Sequence, residues 1–500
     1  MRRVRRPVRP RRSVPVNGAR PDRAERAIVV VIALAAGVAA MTQTLVVPLL
    51  GELPGLLHAG TAGTFWVVIA AMLAGAVISP VIGRLGDLYG KRRLVLVVLA
   101  LLTAGSLLCA VADSLAPMVV GRALQGVGMA IVPLGISLLR DVLSPRRVGT
   151  AIALTSSVLG VGSAFGLPVG GIVAQLGDWH LLFWGVAALT AVIAVLVVWL
   201  VPVAPGLAHG SFDLVGALGM TAGLTALLLA ISHGGEWGWS SPTTLALFVG
   251  AAVALVAWAW WERRVTDPLI DFATAARRPV LLTNTASVVV GFAMYAQILV
   301  VPQLLQLPVS TGHGLGHSMI SAGLWMVPAG AAMMIASPVG AKLSAARGPK
   351  FSLVLGTVLI GLGYVACLVW LGSTAGLVFG TVVTNAGVGF AYGAMPALIM
   401  GSVSPGETGA ANGFNTLMRS IGSSMAGAVV GVIFTRLSTS VGGVDIPLRS
   451  AFVLVAVTGV VSSVVALLVS GVIPVRHVRT PPGNDSRRPV AVPSSGVRSE

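Results

Sequence analysis

Fourteen long apolar runs decide what this chain can fold into. A helix needs about 20 apolar residues to cross a hydrocarbon core. Runs of that size occupy residues 27–50, 64–82, 94–111, 115–139, 149–175, 181–203, 214–231, 243–261, 279–307, 319–341, 351–371, 375–400, 409–434 and 451–473. Only 10% of the 500 residues are charged, whereas a soluble domain carries about 25%. Too little polar surface remains to face water on all sides, so lipid must be the main solvent. The expected class is an all-α membrane protein with 14 transmembrane helices.

Charge placement tests that count. With the N-terminus placed in the cytoplasm and the spans alternating, 29 of the 33 Lys and Arg residues fall on the cytoplasmic side. Arg436 and Arg449 fall on the other side, and Arg122 and Arg419 lie within spans. So lopsided a split is the positive-inside pattern, and one missed span would invert the sign of everything after it. The expectation is a multi-pass protein of the plasma (inner) membrane with both termini cytoplasmic. The net charge of +17 is thereby assigned to topology and membrane lipid, not to nucleic acid. Trp179, Trp184, Trp237 and Trp239 cluster at expected outer ends, and Trp258, Trp260 and Trp261 at an inner end, as interfacial belts require.

The first 26 residues hold ten arginines and feed an apolar run longer than a signal peptide uses. They are expected to remain as a basic tail. Cys109 and Cys367 sit inside apolar runs and read as small core residues rather than a disulfide or metal pair. No metal-ligand spacing, phosphate loop or nucleophile–base pairing occurs, so neither an enzyme nor a cofactor site is expected.

The first six spans resemble the last six. Ser79-Pro80-Val81 recurs as Ser337-Pro338-Val339, and Gly126-Val127-Gly128 as Gly387-Val388-Gly389. Gly149 and Gly162 recur as Gly409 and Gly422. The offsets agree within three residues, and each word holds the same place in its span. Two six-helix halves with a site between them near the midplane are a common transporter plan. Spans 7 and 8 then read as an insertion, giving six plus two plus six. The expected segments are a tail at 1–26, a first half at 27–203, the inserted pair with linkers at 204–279, a second half at 280–473 and a tail at 474–500.

Between spans 2 and 3 lies Gly83-Arg84-Leu85-Gly86-Asp87-Leu88-Tyr89-Gly90-Lys91-Arg92-Arg93. Its glycines, Gly83 and Gly90 among them, permit a tight turn between helix ends. Asp87 can accept hydrogen bonds from exposed helix-terminal amides or basic groups. In span 4, Gly121-Arg122-Ala123-Leu124-Gln125-Gly126 carries a buried cation, and a charge at the bilayer centre costs about 2.5–3.5 kcal/mol. Such a charge normally faces a polar interior, which Gln125 can share. Span 5 holds Gly162, Gly166, Pro168, Gly170 and Gly171, small residues that allow close helix packing and a bend. Arg419 is a second buried cation, in span 13.

These stretches resemble the motifs of the major facilitator superfamily, and of its fourteen-span drug:proton antiporter branch in particular. The resemblance covers residues 27–473. It implies a major facilitator fold with two pseudo-symmetric six-helix halves. By the same resemblance, Asp87, with Gly83, Gly90 and Arg92, forms a conformational switch loop, with Arg140 or Asp141 near Asp87. Arg122 is implied in proton coupling, and Arg419 matches a basic position of the branch. The span-5 glycines resemble the antiporter motif, except that Leu167 separates Gly166 from Pro168 and one residue is missing before the paired glycines. The implied function is secondary active transport of a small molecule by alternating access: proton-coupled efflux of amphipathic drugs, antibiotics or metabolites.

The sequence departs from the branch in span 1, where Met41-Thr42-Gln43-Thr44 replaces a stretch that usually carries an acid. None of the sixteen acidic residues falls near the middle of a span. Two buried arginines without a buried acid favour a neutral, weakly anionic or zwitterionic substrate, and they leave the proton pathway unassigned. Candidate cavity residues are Gln43, Tyr295, Gln297, Asn385 and Asn415, each equally able to bridge helices. Import, uncoupled transport, and a membrane receptor or scaffold that moves nothing stay open as alternatives. A monomer is expected.

Overall fold

A computed structural model describes residues 22–49, 53–59, 61–175, 178–203, 210–441 and 444–474. Both tails, apart from residues 22–26 and 474, lie outside the described residues. Among the described residues, fourteen helices are long and apolar enough to cross a membrane. Spans 1 to 6 are Asp22–Thr44, Thr61–Tyr89, Lys91–Ala110, Leu115–Val142, Pro145–Gln175 and His180–Leu200. Spans 7 and 8 are Leu214–Trp237 and Pro242–Glu262. Spans 9 to 14 are Arg278–Gln306, Met319–Arg347, Pro349–Val369, Thr374–Met400, Thr408–Arg436 and Arg449–Gly471.

Local chemistry accounts for many of the ends. Side-chain oxygens of Asp213, Ser241, Ser318 and Ser373 accept from the first free amides of spans 7, 8, 10 and 12. Pro80, Pro168, Pro302, Pro328, Pro338 and Pro396 lie inside helices. Membrane helices tolerate interior proline because neighbouring helices and local adjustments satisfy the freed carbonyls.

The two halves meet along two seams. Span 2 packs on span 13, and span 5 packs on span 10. Within the halves, span 1 lies on span 5, span 9 on span 13, and spans 10 and 11 on span 12. The inserted helices pair with each other. Span 7 leans on spans 2 and 13, while span 8 rests mainly on span 7. Val249, Val253, Val256 and Trp260 make an exposed stripe down span 8, as a helix with one face toward lipid should.

Side-chain packing repeats between the halves as well. Cys109 in span 3 contacts Gly121 of span 4, and its thiol points at the Met118 carbonyl. Cys367 in span 11 contacts Gly380 of span 12, and its thiol points at the Leu377 carbonyl. The cysteines are 258 positions apart, at the offset of the sequence repeat. They are small interior packing groups, as their apolar settings indicated.

Two features depart from the sequence reading. The glycine-rich segment expected as a loop is mostly helix: span 2 continues to Tyr89, and Gly90 alone makes the turn into span 3. Gly90 has φ 99°, a left-handed conformation that favours glycine. The helix outlasts its apolar run because its polar end residues find partners on other spans. Beyond span 13, strands Ser438–Val441 and Val444–Pro447 (β1 and β2) pair antiparallel. Strands of four residues each leave no apolar period for the sequence to display.

Candidate functional site

The end of the bundle bearing Lys91, Arg147, Arg277 and Arg347 is termed the basic end, and the opposite one the far end. At the basic end the halves touch backbone to backbone. A Cβ on Gly83 in span 2 would lie 2.6 Å from the Gly409 carbonyl carbon of span 13. One turn on, Asp87 is fully buried. Its Oδ1 accepts from the Gly409 amide at 3.1 Å, and its Oδ2 from the Ala410 amide at 2.9 Å. Those amides open span 13 and have no partner within that helix. A carboxylate there also meets the positive end of the helix dipole.

Lys91 completes the cluster. Its Nζ lies 3.5 Å from Asp87 Oδ1 and 2.5 Å from Asp141 Oδ2. It also donates to Thr408 Oγ1 at 3.2 Å and to the Ser137 carbonyl at 3.4 Å. The Ser137 and Thr408 hydroxyls are 2.7 Å apart, a second bond between the halves. Asp141, but not Arg140, therefore shares the cluster with Asp87. Arg92 sits elsewhere: its Nη2 donates to the Val198 carbonyl of span 6 at 2.6 Å. Neither Lys91 nor Thr408 is legible as a partner in the sequence, since Lys91 reads there as one more positive-inside charge. Gly409 had surfaced only as a repeat position.

Arg122 is fully buried, two turns from the far end of span 4 rather than at its centre. Nε donates to the Val67 carbonyl at 2.9 Å and Nη1 to the Thr42 carbonyl at 2.8 Å. Nη1 also reaches Gln125 Oε1 at 2.7 Å, and Gln125 Nε2 donates to Ser106 Oγ at 2.8 Å. One guanidinium thus ties spans 1, 2 and 4, and span 3 through Gln125. Its Nη2 is enclosed and has no partner among the described residues. Just beyond, residues Val127–Ala130 tighten into a 3-10 turn, a local irregularity of the kind that marks hinges.

The span-5 glycines face span 1. A Cβ on Gly162 would run into the Gly37 carbonyl, on Gly166 into Thr44 Oγ1, and on Gly170 into the Leu45 carbonyl. Thr44 Oγ1 donates to the Ser163 carbonyl at 2.7 Å. Pro168 approaches Gly323 of span 10, and Gly171 makes ordinary contact with Ile320. Span 5 is thus the strut between span 1 and the second half.

The expected cavity residues separate into two groups. Asn415 is a buried brace, donating to Asn284 Oδ1 at 2.9 Å and to Ser287 Oγ at 2.6 Å in span 9. Gln297 donates to Thr384 Oγ1 at 3.2 Å and lines a void of about 20 Å³ inside the second half. Asn385 donates back to the Thr381 carbonyl of its own helix. Arg419, midway along span 13, is half-buried and has no carboxylate. Its guanidinium carbon stands 4.6 Å over the Tyr392 ring, and Nη2 donates to Thr416 Oγ1. Tyr295 points its hydroxyl at Met72 Sδ of span 2, 3.4 Å away. Gln43 has both amide atoms enclosed without a protein partner among the described residues, whereas buried polar atoms are nearly always satisfied.

Two helical halves that meet at the basic end around a buried carboxylate have the plan of a membrane transporter. The sequence profile of the Major Facilitator Superfamily matches residues 32–427 and 348–499, and the chain belongs to that superfamily. It is 28% identical to multidrug resistance protein Stp of Mycobacterium tuberculosis over 377 residues, 75% of this chain and 69% of the relative. Identity to multidrug resistance protein 3 of Bacillus subtilis is 26%, covering 82% of this chain and 80% of the relative. A probable actinorhodin transporter of Streptomyces coelicolor is 30% identical, over 74% of this chain and 66% of the relative. Among solved structures, the human organic anion transporter MFSD10 (TETRAN) has the same fold, with a TM-score of 0.60. It is 15% identical, and the match covers 89% of this chain and all of that one. The chain is a multi-pass membrane transporter of small molecules and not an enzyme.

Proposed function

We propose that this protein exports small amphipathic compounds from the cytoplasm of a bacterial cell across the plasma membrane, driven by proton entry. The basic end is the cytoplasmic one, because Lys and Arg concentrate in cytoplasmic loops. The observation that carries the reading is the Asp87 carboxylate of one half seated on the free amides of the other. Such a contact exists only while that end is shut and must part for substrate to enter. A receptor or scaffold has no use for a latch of this kind. Relatives described as multidrug resistance proteins and as a probable actinorhodin transporter support efflux.

Residues of the cavity set the substrate class. Arg122 and Arg419 have no carboxylate partner among the described residues, so a lipophilic cation would meet uncompensated positive charge. Neutral, monoanionic or zwitterionic amphiphiles suit the site, with Gln43 as a hydrogen-bonding contact and Tyr392 as an apolar one. No carboxylate stands mid-span among the described residues. The titratable network joined to the conformational change is then the Asp87–Lys91–Asp141 cluster, where a proton on Asp87 removes a charged acceptor and loosens the latch.

The test is transport in proteoliposomes under an imposed pH gradient, with a panel of labelled amphiphiles of each charge type. Gradient-dependent movement of neutral or anionic compounds, lost in Arg122→Ala, is the expected result. Movement indifferent to the gradient would instead make the protein a uniporter, and movement of cations alone would overturn the substrate class.

A further inference from the structure

Beside the latch, on the same basic end, lies a separate cavity of about 920 Å³. Its walls come from both halves and from the linker between them. Arg84 reaches it from span 2, Asn284 from span 9, and Ala411 and Phe414 from span 13. The linker after span 8 supplies Leu269, Ile270 and Phe272. The lining mixes apolar side chains with two arginines, Arg84 and Arg263, and four carboxylates.

Arg84 is the anomaly. It is only 9% exposed, yet its guanidinium makes no ion pair or hydrogen bond among the described residues, and its Nε is enclosed without a partner. A buried unpaired guanidinium is costly, and buried charges are normally paired. Each lining carboxylate already holds a backbone amide, although Glu262 Oε2 is enclosed without a partner among the described residues. Glu262 accepts from the Ile270 amide at 2.6 Å, and Asp267 from the Ser211 amide at 2.9 Å. Asp271 caps the Ala273 amide at 2.9 Å, and Glu407 accepts from the Ser404 amide at 3.3 Å. Arg263 stands 5.8 Å over the Phe272 ring. These carboxylates hold the linker and the start of span 13 in shape.

We propose that this cavity is a second ligand site, distinct from the midplane path, taking a monoanionic amphiphile whose carboxylate or phosphodiester pairs with Arg84. The apolar walls take the ligand's body. Four carboxylates against Arg84 and Arg263 leave the lining net negative, which disfavours a doubly charged anion more than a singly charged one. Because its walls span both halves, the ligand binds while the basic end is shut and stabilises that state by mass action. A membrane lipid headgroup and a free amphiphilic acid carry the same chemistry.

The test uses the full chain in nonionic detergent, with decanoate as probe and decanol and decyltrimethylammonium as controls. Decanoate is expected to raise Tm saturably in the wild type, with neither control doing so. Arg84→Gln should weaken that response about tenfold, the scale of losing one charge-assisted pair, while Arg84→Lys retains most of it. A second variant, Ala411→Leu, fills the cavity without touching the charge and should weaken the response too. Nanodiscs of phosphatidylcholine with and without phosphatidylglycerol identify the source: decanoate responses that vanish only with phosphatidylglycerol show the lipid headgroup filling the site, and equal responses show a free acid. An equal response to decanol, or an unchanged decanoate response in Arg84→Gln, overturns the proposal. Binding is read without any transport step, so its failure is separate from failure of the export reading.

Discussion

At the scale of single residues, the closed basic end depends on one carboxylate and one missing side chain. Asp87 takes two amides of span 13, and hydrogen bonds to a charged group contribute about 1.5–3 kcal/mol each. Asparagine keeps one acceptor oxygen, so Asp87→Asn is expected to weaken the shut state by about 1–3 kcal/mol. That shifts the balance between open and shut forms by about 5- to 150-fold. Hydrogen exchange over residues 404–414 reads it: protection should fall in Asp87→Asn, and unchanged protection would show that the carboxylate is no latch. Gly83→Ala acts by another route. Its Cβ would meet backbone of Gly409, which cannot rotate away, so spans 2 and 13 must separate. Asp87 remains intact there, so similar loss of protection from both variants would tie the shut state to the helix contact itself. Equal protection in Gly83→Ala and wild type would mean that the two helices have slack the structure does not show.

At the scale of elements, span 5 carries the tightest packing requirement. Gly162, Gly166 and Gly170 recur every fourth residue and face span 1, the small-residue spacing that lets membrane helices approach closely. Gly166→Leu would drive a branched side chain into Thr44 and the Met41 carbonyl, the latter 2.7 Å from where a Cβ would stand. Overpacking typically costs about 1–3 kcal/mol, so a Tm several degrees lower is expected, read by thermal unfolding in detergent. Gly171→Leu, whose Cβ position has only an ordinary contact with Ile320, should cost far less; equal losses would mean that glycine spacing is not what seats span 5. The existence of these helices was legible because hydropathy over twenty residues and the sidedness of arginine are local signals. The spacing of the span-5 glycines was legible too. What they face was not, because span 1 lies more than a hundred residues upstream. The same holds for Lys91 and Thr408, polar residues that look like loop furniture until spans 2, 4 and 13 are brought together. Arg122 was visible as a buried charge, while its carbonyl partners Thr42 and Val67 carry no side-chain signal at all. Gln43 stood out because it replaces an expected acid, and its unpaired amide is what distinguishes it from Gln297 and Asn415, which fold into internal braces.

For the whole molecule, transport by rocking halves requires that the seam at the basic end open and close in every cycle. Span 8 touches little but span 7, so the inserted pair can ride outside that motion, and the seams that matter are spans 2 with 13 and 5 with 10. Ser137 and Thr408 offer a way to freeze the first of these. Their hydroxyl oxygens lie 2.7 Å apart across the halves, close to the reach of a disulfide once each is cysteine. The native thiols do not interfere, since Cys109 and Cys367 are buried and free. In the double variant Ser137→Cys/Thr408→Cys, oxidation is expected to join the halves and stop transport in proteoliposomes, and a reductant should restore it. Each single variant should transport alike in both conditions. If the oxidised double variant forms its disulfide, shown by a mobility shift, and still transports at the reduced rate, the halves do not part at this end and alternating access through it is wrong. If transport stops and recovers, the contact between Asp87 and span 13 lies on the moving seam, because Lys91 joins Thr408 and Asp87 in one cluster.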